Sequence, residues 1–201
     1  VLLDLDDTLL ENPVNRVEHS VESWNRFFNR RLGLEQSGKG LARAMRAVSA
    51  SLNPVENNFD VFVAAVCREW DCSPDEAIAA FQAFYRDAYP DMPAFVQPRP
   101  GAPERGAWLK EAGYQVVIAT NPFFRPEGVR MRLGWAGLPT ELCSYALVTH
   151  IQNMQFAKPN PHYYEEILGR LGVANAEAIM VGEDWLNDIV PAERAGLNTF
   201  W

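Results

Sequence analysis

The chain has 201 residues, 48% of them hydrophobic and 22% charged, and carries a formal net charge of −8. That length holds one domain, or a domain with a sizeable insert, and the balance excludes an intrinsically disordered protein. The acidity argues against a nucleic-acid surface, which needs clustered Lys and Arg, and no apolar run is long enough to span a bilayer.

The chain opens on Val1-Leu2-Leu3, an uninterrupted apolar run that suits a strand buried on both faces of a parallel sheet. Asp4 and Asp6 follow. Side chains alternate along a strand, so these two carboxylates are expected on the same side. Like charges buried so close are costly unless a cation or a proton compensates them, which marks the pair as functional.

From Leu10 to about Val96 the pattern is helical. Val17, Val21, Trp24, Phe28 and Leu32 recur at helical spacing, with Gly33 as the stop. Leu41, Ala44, Met45, Val48 and Leu52 repeat the pattern before Asn53-Pro54, and Phe59, Phe62, Val63, Val66 and Trp70 form a third stripe. Ser73-Pro74-Asp75-Glu76 offers an N-cap, a helix-starting proline and a capping-box glutamate to a fourth helix. The apolar face of that helix is Ala77, Ala80, Phe81, Phe84 and Tyr85. Amphipathic helices without strands read as a small bundle.

Residues 97–103, rich in proline and glycine, read as a stiff connector. Helices are then expected over 107–112, near 127–133, and over 161–171 and 188–195. Strands are expected between them over 115–120, 145–148, 178–181 and 198–201. This alternation predicts an α/β fold with a doubly wound parallel sheet, and the first strand belongs to it. Residues 1–10 and 97–201 are therefore the expected core, with 11–96 an inserted helical bundle. The chain begins inside one apparent strand and ends on another, so it reads as a piece trimmed from a longer protein.

The polar residues at the strand ends form a consistent inventory, placed where open α/β sheets bind ligands. Asp4 can attack phosphorus as a nucleophile, and Asp6 can protonate the leaving oxygen and later deprotonate water. Thr120 and Asn121 offer donors to phosphate oxygens, and Lys158 adds a fixed positive charge. Glu183, Asp184 and Asp188 are hard oxygen groups suited to a magnesium ion that would hold Asp4 and a phosphoryl group together.

With these motifs in this order, the chain resembles the haloacid dehalogenase superfamily along its whole length. Asp4-Leu5-Asp6-Asp7-Thr8 is similar to the first motif of that family, Thr120 to the second, Lys158 to the third, and Gly182-Glu183-Asp184 through Asp188 to the fourth. Pro100-Gly101 before a helix, Leu171-Gly172-Val173 before a strand, and a helical insert between the first two motifs also fit the resemblance. The resemblance implies a Rossmann-like core with a helical cap, magnesium dependence and, most often, phosphatase activity. It implies Asp4 as nucleophile, Asp6 as general acid/base, and metal ligation by Asp4, the Asp6 backbone carbonyl and a fourth-motif acid.

Two departures stand out. Asp7 occupies a place where the family often has glycine, and Glu183 interrupts the usual Gly-Asp pair. Asp184 is the expected direct ligand with Glu183 nearby, and a Glu183 that reaches the ion itself is the other arrangement. Asn187-Asp188 would bind the metal or orient Lys158 or a metal-bound water.

The remaining signals read as structural. His19, His150 and His162 suit surface or capping roles, and Trp24, Phe27, Phe28, Phe59, Trp70 and Phe81 suit core packing. The cluster Arg16, Arg26, Arg30 and Arg31 reads as a solvated face, while Phe123, Phe124 and Arg125 are better placed to line a pocket. Cys67, Cys72 and Cys143 form no Cys-x-x-Cys pair and read as incidental thiols. With no resemblance to a secretory signal, a reducing cytoplasm is the expected location.

The expectation is a magnesium-dependent phosphatase that hydrolyses a small phosphorylated metabolite through an aspartyl-phosphate, without nucleic-acid or membrane partners. The alternatives are a 2-haloacid dehalogenase or a phosphomutase on the same scaffold, and a non-catalytic module that binds a phosphate ligand. Asp6 argues against the dehalogenase, which needs no second carboxylate to protonate its leaving group. The sequence gives no basis for an oligomeric state.

Overall fold

The computed structural model describes residues 1–12, 16–34, 37–91, 96–141 and 144–201, and the backbone alone for 16–21. The side chains of Arg16, Val17, His19 and Val21 and all of Cys143 lie outside the described residues.

Short parallel strands form the central sheet: β1 (Leu2–Leu3), β4 (Val117–Ile118), β5 (Leu147–Val148), β6 (Ile179–Val181) and β7 (Asn198–Phe200), in the order β5-β4-β1-β6-β7. The chain runs outward from β1 on one side, then returns to build the other side. β1 therefore lies at the point where the strand order reverses, the Rossmann-like arrangement that opens a crevice at the strands' carboxyl ends.

Successive strand residues face opposite layers. Leu2, Val117 and Met180 pack with Tyr163, Ile167 and Leu168 of helix α7 (Pro161–Leu171). Leu3 and Ile118 pack on the other face with Val129 and Leu133 of α6 (Pro126–Trp135). Burial on both faces explains why these strands are apolar runs without polar alternation.

The insert contains α1 (Arg16–Leu32), α2 (Ser37–Ala50), α3 (Asn58–Trp70) and α4 (Pro74–Asp87), around Phe28, Leu41, Val66, Phe81 and Phe84. Local sequence sets the helix starts. The Asn57 side chain accepts from the amides of Phe59 and Asp60 ahead of α3, and Ser73 with Glu76 completes the expected capping box ahead of α4. Leu52 departs from its assigned stripe. It lies past the end of α2 and is exposed.

Three expectations change. The stretch that reads as a connector contributes β3 (Gln97–Pro98), which pairs antiparallel with β2 (Leu10–Glu11), so a two-stranded ribbon joins the two ends of the insert. The helix expected over 107–112 is α5 (Ala102–Glu111). Gly101 takes φ +79° and Pro103 lies in the first turn, so this proline and glycine start a helix rather than a linker. The last helix is a π-helical turn over Trp185–Ile189 followed by α8 (Val190–Arg194).

No described helix is long and apolar enough to cross a membrane.

Candidate active site

Leu3 is in register with Ile118 and Val181, so β1, β4 and β6 end level. Asp4, Thr120 and Glu183 therefore leave the sheet at one edge. There they join Lys158 and Asp188 in a cleft of about 370 Å³, which Trp24, Gly38, Ala42 and Met45 cover from the helical side.

Asp4 and Lys158 are buried together. Lys158 Nζ donates to Asp4 Oδ1 at 2.7 Å and to Asp188 Oδ1 at 2.5 Å. Burial pushes the Asp4 carboxyl up to about 7, with Lys158 opposing the rise and Asp188 adding to it. Burial also acts to lower the Lys158 pKa, but Asp4, Tyr164, Tyr163 and Asp188 hold it well above its ordinary value, so the ammonium stays charged.

Asp6 takes a different cation. Its carboxylate pairs with the Arg132 guanidinium of α6, and Asn12 Nδ2 donates to it at 3.4 Å. β1 ends at Leu3, so strand alternation does not orient Asp4 and Asp6. Separate cationic partners do.

Asp7 has φ +60°, the left-handed region that favours glycine and that Asp tolerates better than most residues. Its carboxylate accepts from the Asn12 amide at 2.9 Å, which helps fix this turn.

Among the fourth-motif acids, Glu183 and Asp188 join Asp4: one carboxylate oxygen from each lies within 4.8 Å of the others. Asp184 is otherwise employed. Its Oδ1 accepts from the amides of Leu186 and Asn187 and its Oδ2 from Asn187 Nδ2, so it caps the π-helical turn. Burial acts to raise the Asp184 pKa, but these bonds leave it below its ordinary value. The Asp184 amide in turn donates to Asp188 Oδ2 at 3.1 Å. The Asp184 carboxylate, which the sequence made the expected direct ligand, here caps the turn that carries Asp188.

Gly182 is needed where it stands, since a Cβ there would lie 2.3 Å from Asp188 Oδ2. At the rim, Glu183 Oε2 accepts from the Thr8 hydroxyl at 2.7 Å, and burial raises its pKa. Three convergent carboxylates are hard oxygen donors, the chemistry that suits a magnesium-sized cation, so the residues present fit such an ion.

The Thr120 carbonyl accepts from the Thr149 hydroxyl at 2.8 Å and from the Tyr163 hydroxyl at 2.8 Å, which fixes the turn after β4. Asn121 lines the same cleft, and its Oδ1 is buried without a hydrogen-bond partner among the described residues. Phe123 and Phe124 line the cleft as expected, while Arg125 turns away, with its guanidinium 5.6 Å from the Phe59 ring. Residues that sequence reasoning missed are Arg132 and Tyr89, both cleft-lining and almost completely buried. His150 and His162 stay out of the cleft lining, and the His162 ring pairs with Glu165.

A family model described as haloacid dehalogenase-like hydrolase matches residues 1–196. A probable phosphatase, IndB, of Dickeya dadantii is 29% identical over 199 residues, covering 98% of this chain and 77% of that protein. The pyrophosphatase PpaX of Bacillus velezensis is 30% identical over 125 residues, which cover 62% of this chain and 54% of PpaX, so the match spans about half of that relative. The crystal structure of a HAD phosphatase from Thermococcus onnurineus superposes with a TM-score of 0.59 at 19% identity, covering 100% of this chain and 84% of that one. That of an L-2-haloacid dehalogenase from Xanthobacter autotrophicus gives 0.56 at 22%, covering 98% and 74%. At these identities the superpositions establish the fold.

Proposed function

The chain belongs to the haloacid dehalogenase-like hydrolases, and from that premise we propose that it is a magnesium-dependent phosphatase acting on a small phosphorylated metabolite through an aspartyl-phosphate on Asp4. The observation that carries the reading is the convergence of Asp4, Glu183 and Asp188 beside Lys158 at the end of the central strand. Relatives named as phosphatases support it.

In this reading Asp4, Glu183, Asp188 and the Asp6 backbone carbonyl would hold the magnesium ion. When bound, the ion supplies positive charge that lowers the repulsion between the Asp4 carboxylate and the phosphoryl group.

An Asp4 oxygen attacks phosphorus, and the phosphorus–oxygen bond to the alcohol breaks. The departing oxygen takes its proton from the Asp6 carboxyl. Water then gives a proton to Asp6 and attacks phosphorus, which releases inorganic phosphate and restores the Asp4 carboxylate. Lys158 and the donors of Thr120 and Asn121 stabilise charge on the non-bridging oxygens. Residues 11–96 act as a cap that excludes water from the core formed by 1–10 and 97–201. The free thiols of Cys67 and Cys72 suit a reducing cytoplasm.

Phosphate release from p-nitrophenyl phosphate tests the proposal. Turnover is expected with magnesium, is lost on chelation, and falls to background in Asp4→Asn. Halide release from 2-haloacids without metal would instead identify a dehalogenase. Phosphate binding without turnover on a broad ester panel would identify a binding module.

A further inference from the structure

We propose that Arg132 determines specificity by binding a second oxyanion on the alcohol part of the substrate, so that the preferred substrates are short phosphate monoesters whose alcohol is itself anionic. This inference rests on the phosphatase reading and narrows its substrate class.

Arg132 is 5% exposed, yet it lines the cleft that holds Asp4. Only two described cations line that cleft, and the other, Lys158, is committed to Asp4 and Asp188. The walls around the leaving-group side are apolar: Trp24, Met45, Phe123 and Phe124. Arg132 is thus the cation available to the part of the substrate beyond phosphorus.

The guanidinium is held in place but incompletely paired. Its Cζ lies 5.0 Å from the Phe124 ring centroid, and Nη1 donates to the Tyr89 hydroxyl at 3.4 Å. Nη2 faces Asp6, and Nε is buried with no hydrogen-bond partner among the described residues. Nε and Nη2 form one edge of the planar fork, an edge that grips two oxygens of a single anion.

The reaction makes this pairing matter. Asp6 is required at the ester oxygen to transfer its proton, and an Asp6 in that role is neutral or engaged elsewhere. Arg132 then loses its counter-ion while buried, which is costly unless another anion replaces it. A neutral alcohol leaves the charge unanswered, and a carboxylate or second phosphate on the alcohol answers it.

Three esters test this: 2-phosphoglycolate carries a carboxylate, ethylene glycol bisphosphate a second phosphate, and ethyl phosphate neither. The readout is the ratio of kcat/KM for a charged ester to that for ethyl phosphate, taken within each protein. A general loss of activity therefore does not move it. The wild-type ratio is expected to be roughly 10- to 100-fold, the worth of a charge-assisted hydrogen bond. Arg132→Leu brings it close to one, and Arg132→Lys keeps part of it.

Which charged ester gives the larger ratio identifies the oxyanion. A wild-type ratio near one, or an Arg132→Leu ratio unchanged from wild type, overturns the proposal. Should Arg132→Leu turn over no ester, affinities for the three esters are measured by calorimetry in Asp4→Asn, with and without Arg132→Leu. Selective loss for the charged esters supports the proposal, and equal loss for all three overturns it. If the wild type hydrolyses no ester but Asp4→Asn binds 2-phosphoglycolate through Arg132, the phosphatase reading fails and the anchor stands.

Discussion

The Asp4 carboxyl is a group poised between a proton and a metal ion. Burial and Asp188 raise its pKa to about 7 against the pull of Lys158. A cation binds the ionised form, so below that pH it must displace a proton, and above it no proton is released. Apparent magnesium affinity is therefore expected to be flat above about pH 7 and to fall by up to tenfold per pH unit below it, with the linked proton visible by calorimetry in buffers of different ionisation enthalpy. An affinity that rises as the pH falls would contradict this.

The same residue scale shows what a sequence hides. The departure at Asp7 is resolved by its left-handed backbone, a conformation that spacing alone does not reveal. The choice between Glu183 and Asp184 turns on one local detail: Asp184 stands immediately before a helical turn, whose amide groups claim its oxygens. Asp184-x-x-Asn187 is also an N-cap pattern, which a reading of these acids as metal ligands leaves unweighed. Arg132 gave no signal. In Arg130-Met131-Arg132 nothing distinguishes a solvated arginine from a buried one, and the burial of Arg132 depends partly on Tyr89, which is remote in sequence.

At the scale of elements, the long helices were legible because their apolar periodicity and capping residues agree. The middle of the sheet was legible for a different reason: packing on both faces makes β1, β4 and β6 apolar throughout. The ribbon of β2 and β3 was not. Each strand has two residues, too few for alternation to register, and one of them is a proline.

Contact between α3 and the loop carrying Lys158 was equally hidden. The Asn58 amide donates to the Met154 carbonyl at 2.8 Å, and its side-chain Nδ2 donates to the Phe156 carbonyl at 3.0 Å. Asn58 is fully buried, so Asn58→Ala leaves that carbonyl without its donor and should cost about 1–3 kcal/mol in urea unfolding. A change below about 0.5 kcal/mol would show that water or a backbone shift replaces the bond.

For the whole molecule, net charge and its placement matter together. The chain is acidic overall, and among the described residues six carboxylates line one cleft with two cations. A divalent ion that joins Asp4, Glu183 and Asp188 relieves that repulsion in the folded state alone. Magnesium at about 100 times its Kd is expected to add about 2.7 kcal/mol to stability. In a thermal melt this appears as a rise in Tm that is markedly smaller for Glu183→Gln. Equal rises in both proteins would remove Glu183 from the ion's coordination sphere.

The helical insert meets the sheet domain at the β2–β3 ribbon, at Asn58, and through the hydroxyls of Tyr85 and Tyr89, which bond Arg125 and Arg132. Fastenings spread so widely leave no free axis of rotation between the two parts. Trp24 and Met45 are therefore carried at a set height over the phosphate-binding edge. The headroom beneath them is a property of the fold, so admission by size needs no contact dedicated to it.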